Sequence, residues 1–540
     1  MNWVPAVEGR HQLVMFERKL DDALPKDHVV RQFALLMDQL DWSRWESEYA
    51  QWGPGRTAIH PKVMASVILY GMLTRVRASR QLEEALVIRI DFRWLAEGRH
   101  IDHSTICNFR QSKRERLQEL FVQLGLLAQS AGILKLSELA FDGTKIRANN
   151  SCSKKLKTAD LQHLHDELTK KFSEQAAEIE KLDASAGEDD GDDGNPEGGV
   201  SQKLEDIQSR LEAVKRAMAA VKHLEREGKT VPKRLPLTDM ESRITPSKEG
   251  GFAPNYTPGV MVDTESGLIV AADVIADTNE KAMLPAALAT VKEAFSCKPQ
   301  RILADTIFSH GSNLAVLESE GIDLYSPVAD TADNPALRAD PTQSVPAEQL
   351  DKLPVKKTRG RQQFSKQAFV FAAKHDAYYC PAGNRLEYKS TSTSKTVDGT
   401  EVKTRRYLSN RQDCQACSLR ERCIAGTAKY RHVQRDQFEE LRDQLRERMH
   451  TPQGQAIYAR RIGPGERPFA MTKRIMGVRQ FATRGLQKVK REWLWLTAAC
   501  NIKLLLKLLR SRAGPLAPPA PCPQPDHNTL QLNSLVPVAP

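Results

Sequence analysis

The chain has 540 residues, 40% of them hydrophobic and 27% charged, and a formal net charge of +11. That length allows roughly two to four domains with a large core, and the basic excess favours a polyanionic partner, nucleic acid first, over a merely basic soluble enzyme. Neither a secretory leader nor a bilayer span is expected from the pattern. MNWVPAVEGRHQL has no apolar centre, and the most apolar stretch, from Trp493 to Leu508, is broken by Asn501, Lys503 and Lys507 and fits a buried amphipathic helix. A cytoplasmic, nucleoid-associated protein is expected, in which closely spaced cysteines point to metal rather than disulfide.

Residues 1–135 read as a helical N-terminal DNA-binding domain. After Pro61 the run KVMASVILYGMLTRVRASRQLEEALVIRIDFRWLAEG places apolar residues at helical spacing and stops at Gly98. In IDHSTICNFR, Asp102 or Ser104 can cap a further helix that leads into the basic run FRQSKRER. Such a unit suits a helix-turn-helix-like DNA reader, and plain helical packing is the alternative.

Residues 136–157 change character. LSELAFDGTKIR carries a short apolar run into Asp142, a buried strand ending in a carboxylate, with Lys145 and Arg147 just behind it. Residues 158–235 read as an inserted helical hairpin. Leu204, Ile207, Leu211, Val214, Met218 and Val221 keep a 3-4 spacing opposite an earlier run through Leu161, Leu164, Leu168 and Phe172. Between the runs lies an acidic, Gly-rich link, GEDDGDDGNPEGG. Its Asp189, Asp190, Asp192 and Asp193 form either a cation site or a solvated loop.

Residues 236–328 resume an α/β core. GVMVD and GLIVAADV flank the turn signal TESG, and TNEKAMLPAALATVKEAF reads as a capped helix. RILAD is a second buried strand ending in a carboxylate, Asp305. A helix around Asn313–Glu320 and the strand IDLYSPV complete a mixed sheet with helices on its faces.

Residues 329–450 form a further insertion. Its first part, to residue 375, contains Pro335, Pro341, Pro346, Pro354 and the basic run KKTRGRQ, and is expected to be a loop reaching toward DNA. Next come YYCPAGNRL and QDCQACSLRERC, which carry Cys380, Cys414, Cys417 and Cys423. Closely spaced thiols bring ligands together at little loop cost, and four of them suit a closed tetrahedral zinc ion with a structural role. Pro381 and Gly383 supply a tight turn after the first ligand. The other cysteines, Cys107, Cys152, Cys297, Cys500 and Cys522, are scattered.

Residues 451–512 are C-terminal helices. Here one carboxylate, Glu466, sits among Arg460, Arg461, Arg467, Lys473, Arg474, Arg479 and Arg484. Pro468 places Glu466 in or just before a first helical turn, and Lys473, seven residues on, falls on the same face. An acid that holds a metal beside a polyanion has such neighbours, and so does a solvated basic helix with one stray acid. Residues 513–540 are a Pro-rich tail expected to be disordered.

Taken in order, these segments resemble the bacterial insertion-sequence transposases of the DDE type. HPKVMASVILYGMLTRVRASRQLEEAL, FRWLAEG and DHSTICNFR are similar to the family's helical N-terminal domain. FDGTKIRANNS and ILADTIFSHGSN resemble the segments of its first two catalytic aspartates, here Asp142 and Asp305. Tyr458, Arg461, Glu466 and Lys473 resemble its Tyr, Arg, Glu, Lys signature. The chain departs from the family in three places. Thr306, Ile307 and Phe308 follow Asp305 where Lys-Gly-Tyr is frequent, Asn255-Tyr256-Thr257-Pro258 stands where Gly-Tyr-Asn-Val is frequent, and one extra residue separates Arg461 from Glu466.

The resemblance implies a ribonuclease-H-like catalytic core, begun at 136–157 and completed by 236–328 and 451–512. It implies strand cleavage at transposon ends followed by transfer into target DNA, by a homodimer or larger assembly. Asp142, Asp305 and Glu466 would hold two Mg²⁺ (or Mn²⁺) ions, which in such chemistry lie roughly 3.5–4 Å apart. Tyr458, Arg461, Lys473, Arg474, Lys145 and Arg147 would contact DNA, Arg461 and Lys473 at phosphate. The other readings are a catalytically inactive, transposase-derived DNA-binding zinc protein and a host nuclease on the same fold. For any one acid, a turn or cap role is the plain alternative, and Asp263, Asp273 and Glu492 are nearby competitors.

Overall fold

The computed structural model describes residues 19–49, 58–111, 114–150, 155–185, 197–226, 228, 231–246, 250–277, 279–328, 340–358, 361–396, 401–424 and 427–512. The acids expected at 189–193 and the tail at 513–540 lie outside them. The chain divides into two compact units, residues 1–109 with 501–540, and residues 110–500.

The first unit is helical: α1 (Val29–Asp38), α2 (Ser43–Tyr49), α3 (Pro61–Leu73), α4 (Ser79–Ile88), α5 (Ile90–Leu95) and the start of α6 (His103–Gln111). Its core is aromatic. Tyr70 of α3 packs 5.5 Å from Phe33 and 5.1 Å from Phe92, ring centre to ring centre, and its hydroxyl donates to Asp91 at 2.9 Å. Gly98 takes φ +72°, which ends the helical run. Of the two cap candidates Asp102 does the work, accepting the Thr105 N–H at 2.9 Å.

The second unit opens with α7 (Arg114–Ser130), which closes on Phe295 at Gly125, where a Cβ would meet the ring at 2.6 Å. The all-helical stretch expected to run to residue 135 therefore divides earlier, because this helix packs on the α/β unit. Next come β1 (Glu138–Gly143), β2 (Ile146–Arg147) and β3 (Lys155–Lys157), then the hairpin of α8 (Leu161–Ser185) and α9 (Glu197–Arg226). Leu161, Leu168, Leu211, Val214 and Ala217 form the hairpin's buried seam. β4 (Arg234–Pro236) pairs with β3 at its base.

The ends of this insertion are clasped together. Asn150 donates to the Asp239 carbonyl at 3.1 Å, and Asn149 to the Ala482 carbonyl at 2.8 Å. Asp239 in turn accepts the Tyr256 hydroxyl at 2.8 Å and the Gly485 N–H at 3.2 Å.

β5 (Arg243–Pro246), β6 (Phe252–Asp263), β7 (Ile269–Ile275), α10 (Met283–Phe295), β8 (Arg301–Leu303), α11 (Gly311–Ser319) and β9 (Asp323–Tyr325) complete the core. The sheet runs β7-β6-β1-β8-β9, with β6 antiparallel to both its neighbours and β1, β8 and β9 parallel. This is a mixed sheet with helices, as a ribonuclease-H-like core requires. One expectation fails here. Residues 279–282 are not the first turn of a capped helix: α10 begins at Met283 with no side-chain cap. Asp277 accepts the Asn279 N–H and Asn279 the Lys281 N–H, at 3.0 and 3.3 Å. These local bonds compete with helix and hold the segment as consecutive turns.

Residues 340–375 are likewise not an open loop. β10 (Val355–Thr358), β11 (Arg361–Phe364) and β12 (Val370–Ala372) are short strands, and Val345, Leu353, Phe364 and Phe369 are buried with them. β10 and β11 pair in a two-stranded antiparallel sheet of their own, and β12 joins a five-stranded antiparallel sheet with β13 (Ala377–Tyr379), β14 (Arg385–Lys395), β15 (Glu401–Ser409) and β16 (His432–Asp436). The spaced apolar residues among the prolines anchor this subdomain, which also carries α12 (Arg411–Ala416) and α13 (Arg420–Cys423).

The chain returns to the core through α14 (Glu439–His450), α15 (Pro452–Ala459), α16 (Ile462–Ala470), a π-helical turn at Met471–Ile475 and α17 (Leu486–Arg512). Pro468 does not mark a first turn. It lies inside α16, buried beside Phe469, which stacks 6.2 Å from Trp493. Burial of that face offsets the hydrogen bond a proline removes, and the wider turn follows at once. Glu466 therefore sits in the second turn of α16. Among the described residues no helix is long and apolar enough to cross a membrane.

Candidate active site

β1 and β8 are in parallel register with Ala140 opposite Leu303. Two residues further along each chain stand Asp142 and Asp305, so both carboxylates lie at the same end of adjacent strands, whose spacing is about 4.8 Å. Asp305 leaves its strand and caps a short turn, accepting the Thr306 N–H at 2.6 Å. Phe308 of that turn meets Phe141 of β1 edge-on at 4.9 Å, which fixes the two strand ends against each other.

α16 crosses this end of the sheet. Gly465 is its point of closest approach: a Cβ there would lie 3.7 Å from the Asp142 Cβ. One turn earlier, Arg461 Nη1 is 3.7 Å from Asp142 Oδ2, and its guanidinium lies 5.6 Å from the centre of the Tyr458 ring. Tyr458 packs with Ala140 and Leu303 of the strands. Burial pushes its hydroxyl pKa up, Arg461 opposes that, and Asp305 and Asp142 add to the rise.

Glu466 is exposed, one residue beyond Gly465, with no ion pair among the described residues. Lys473, on the π-helical turn, donates to Thr144 Oγ1 at 2.7 Å and to the Lys145 carbonyl at 3.2 Å. Its ammonium therefore ties the helix to the segment just after Asp142. Arg474, beside it, is exposed. Lys145 is half-buried at the site, whereas Arg147 pairs in β2 with Asn255 and its carbonyl accepts the Phe481 N–H at 2.9 Å.

Glu280 carries no motif that would single it out in the sequence. It stands in the turns before α10, its side chain 15% exposed and its Oε1 3.9 Å from Lys145 Nζ. A Cβ on Gly143 would come within 3.2 Å of its Oε2, so glycine directly after Asp142 makes room for this carboxylate. Burial raises its pKa, Lys145 opposes, and Asp142 and Asp305 raise it further. The other acids have structural work. Asp263 accepts from Ser266 and from the Leu136 N–H, Asp273 pairs with Lys490 at 2.8 Å, and Glu492 accepts the N–H groups of Ala482 and Thr483.

Among the described residues no three His, Cys, Asp or Glu side chains are drawn tightly enough together to grip an ion. In donor chemistry, though, the strand-end aspartates suit a hard divalent cation, which takes carboxylate oxygens and few of them.

The four cysteines of the β subdomain lie close together. Cys380 follows β13 in a tight turn, with its N–H on the Asn384 carbonyl at 2.9 Å and Gly383 at φ +81°. The Cys380 sulfur accepts backbone N–H groups from Asn384 and Ala382, and the Cys417 sulfur accepts that of Leu419 at 3.4 Å. Burial raises the Cys380 thiol, and Cys417 and Cys414 add to this. Cys423 is pushed up to about 12, by burial first and partly by the other three. None of the four is in a disulfide.

Two transposase families match the chain. The family described as "Transposase DDE domain" matches residues 379–506, covering the cysteine cluster, Tyr458, Arg461, Glu466 and Lys473. The family described as "Transposase domain (DUF772)" matches residues 18–112, in the helical unit. No curated protein matches the chain. Asp142 and Asp305 lie outside both matched segments, and the parallel strand register brings them to the same end of one sheet. The helical match before these strands and the DDE match after them support an insertion-sequence DDE transposase.

Proposed function

We propose that the chain cleaves DNA at transposon ends and joins the freed ends to a target, with Asp142, Asp305 and Glu466 holding divalent cations, Mg²⁺ or Mn²⁺. The observation that carries this reading is the pair of aspartates on adjacent parallel strand ends beneath the Tyr458–Arg461 helix turn. When bound, the cation polarises the scissile phosphate and lowers the pKa of the attacking water.

Water attacks phosphorus and the 3′-oxygen leaves with a proton. The resulting 3′-hydroxyl then attacks a target phosphodiester, exchanging one such bond for another. Arg461, already beside Asp142, offers its guanidinium to the phosphate at the cut. Lys145, Arg147 and Arg474 extend the basic surface, and Tyr458 closes the aspartate side against water. Lys473 fixes the strand end through Thr144. The helical unit reads the transposon end, and two copies or more hold both ends for joining.

The test is a Mg²⁺-dependent reaction on DNA carrying the element's own ends. Nicked or released ends followed by joined product are expected. Cleavage without joining would convert the reading to a nuclease, and retention of DNA with no cleavage would remove the enzyme reading. Intact carboxylates give the inactive alternative no support.

The four thiols are assigned to one structural zinc ion. Purified protein is expected to carry about one zinc per chain, and Cys417→Ser to lose most of it with a lower melting temperature, since binding such an ion is coupled to folding. A fully folded chain with neither zinc nor iron by elemental analysis would end this assignment.

A further inference from the structure

We propose that Glu280 is a further metal-holding carboxylate of the same centre as Asp142, Asp305 and Glu466, supplied by the turns before α10. The inference rests on the transposase reading above and adds a ligand to it. Three observations converge. The Glu280 carboxylate lies against Gly143, the residue after Asp142, where a Cβ would crowd its Oε2 at 3.2 Å. Its position is held from both sides: its carbonyl accepts the Met283 N–H at 3.0 Å at the start of α10, and the next residue's carbonyl accepts from Asn313 at 3.0 Å. Its Oε1 faces Lys145 Nζ at 3.9 Å, three residues on from Asp142, so this acid and the strand end share one counter-charge.

A half-buried acid kept beside two others is a poor arrangement for a fold by itself. Lys145, at 3.9 Å, offsets one negative charge of the three. A divalent cation among the carboxylates offsets the remainder, and oxygen donors from three separate segments are what such an ion takes. The bonds from Asn279 N–H to Asp277 and from Lys281 N–H to Asn279 deliver this side chain. A regular helix from residue 278 would leave the acid in a first helical turn, a common place for an exposed carboxylate.

The test is Mn²⁺ binding by the full-length, zinc-loaded chain, read from the free-ion electron paramagnetic resonance signal, beside melting of the metal-free protein. Wild type is compared with Glu280→Gln, Asp142→Asn and Glu466→Gln. The proposal requires Glu280→Gln to raise the Mn²⁺ Kd at least about tenfold, as loss of a carboxylate at a metal centre does. It also requires the metal-free melting temperature to hold or rise, because one of three like charges is gone. An unchanged Kd in Glu280→Gln with a weakened Asp142→Asn overturns the proposal and leaves the transposase reading standing. Unchanged affinity in both variants, or no Mn²⁺ bound by wild type, overturns the two together. A lower melting temperature with unchanged Kd would make Glu280 the structural partner of Lys145, which also overturns it.

Discussion

Asp142→Ala is expected to lower the single-turnover rate of strand cleavage by at least about 10³-fold while DNA is retained as before. A bound cation contributes several kcal/mol to such a transition state, and each 1.36 kcal/mol is a factor of ten. Asp142 is the side chain that α16 closes upon: Arg461 is 3.7 Å away and Gly465 abuts it. Asp142→Asn separates charge from shape, because it keeps an oxygen that can accept the Gly143 N–H now bound at 2.9 Å. It is expected to be nearly as inactive as the alanine variant and to melt like wild type. Asp305→Ala should match it. The double variant is expected to fall little further, since residues that act as a unit are not additive. Gel retention and cleavage on one labelled transposon end check all four. Cleavage within tenfold of wild type in either single variant removes that residue from the site.

Glu439→Ala is expected to destabilise the second unit by roughly 3–5 kcal/mol, the usual cost of removing one member of a buried ion pair. Glu439 is 4% exposed and accepts from Lys366 at 2.6 Å and Arg442 at 2.9 Å, with Arg446 at 3.2 Å. Truncation leaves three partly buried cations facing an apolar gap. Burial alone would raise the Glu439 carboxyl, but Lys366 and Arg442 hold it at about 2 against an ordinary 4.5. The ionised form is thus favoured more in the folded chain than in the unfolded one. The contribution, on the order of 3 kcal/mol, is fully present above pH 4.5 and is lost as pH falls through about 2. Urea titrations at pH 7 and pH 3 should show the gap between wild type and Glu439→Gln narrowing at the lower pH. An equal midpoint for both proteins at pH 7 would contradict the assignment.

Features set by local pattern were legible in the sequence. Asp142 and Asp305 each end a short apolar run, and strand register alone then makes them neighbours. The α8–α9 seam follows from 3-4 spacing, and the Cys380 turn from Pro381 and Gly383. Features set by competition between local and distant contacts were not legible. Glu280 looked like a first-turn helix residue, because helix-forming residues follow it. The Asx bonds of Asp277 and Asn279, together with the reach of Asn313, decide otherwise. Pro468 looked like a helix start, whereas burial beside Phe469, which stacks on Trp493, keeps it inside α16. Lys473 looked like a free phosphate contact, but Thr144, more than three hundred residues away in sequence, takes its ammonium. In the 340–375 stretch the prolines and charges masked a few widely spaced apolar anchors that suffice for short strands.

The clasp at Asn149, Asn150 and Asp239 bears on how this protein can change over generations. A segment whose two ends are already tied closes a loop of nearly any length at small extra entropic cost, about 0.6 kcal/mol per doubling. Paired insertions or deletions in the arms of α8 and α9 leave the clasp, and with it the strand leading from Asp142, untouched. The hairpin is the place where relatives can differ most in length while keeping one reaction centre.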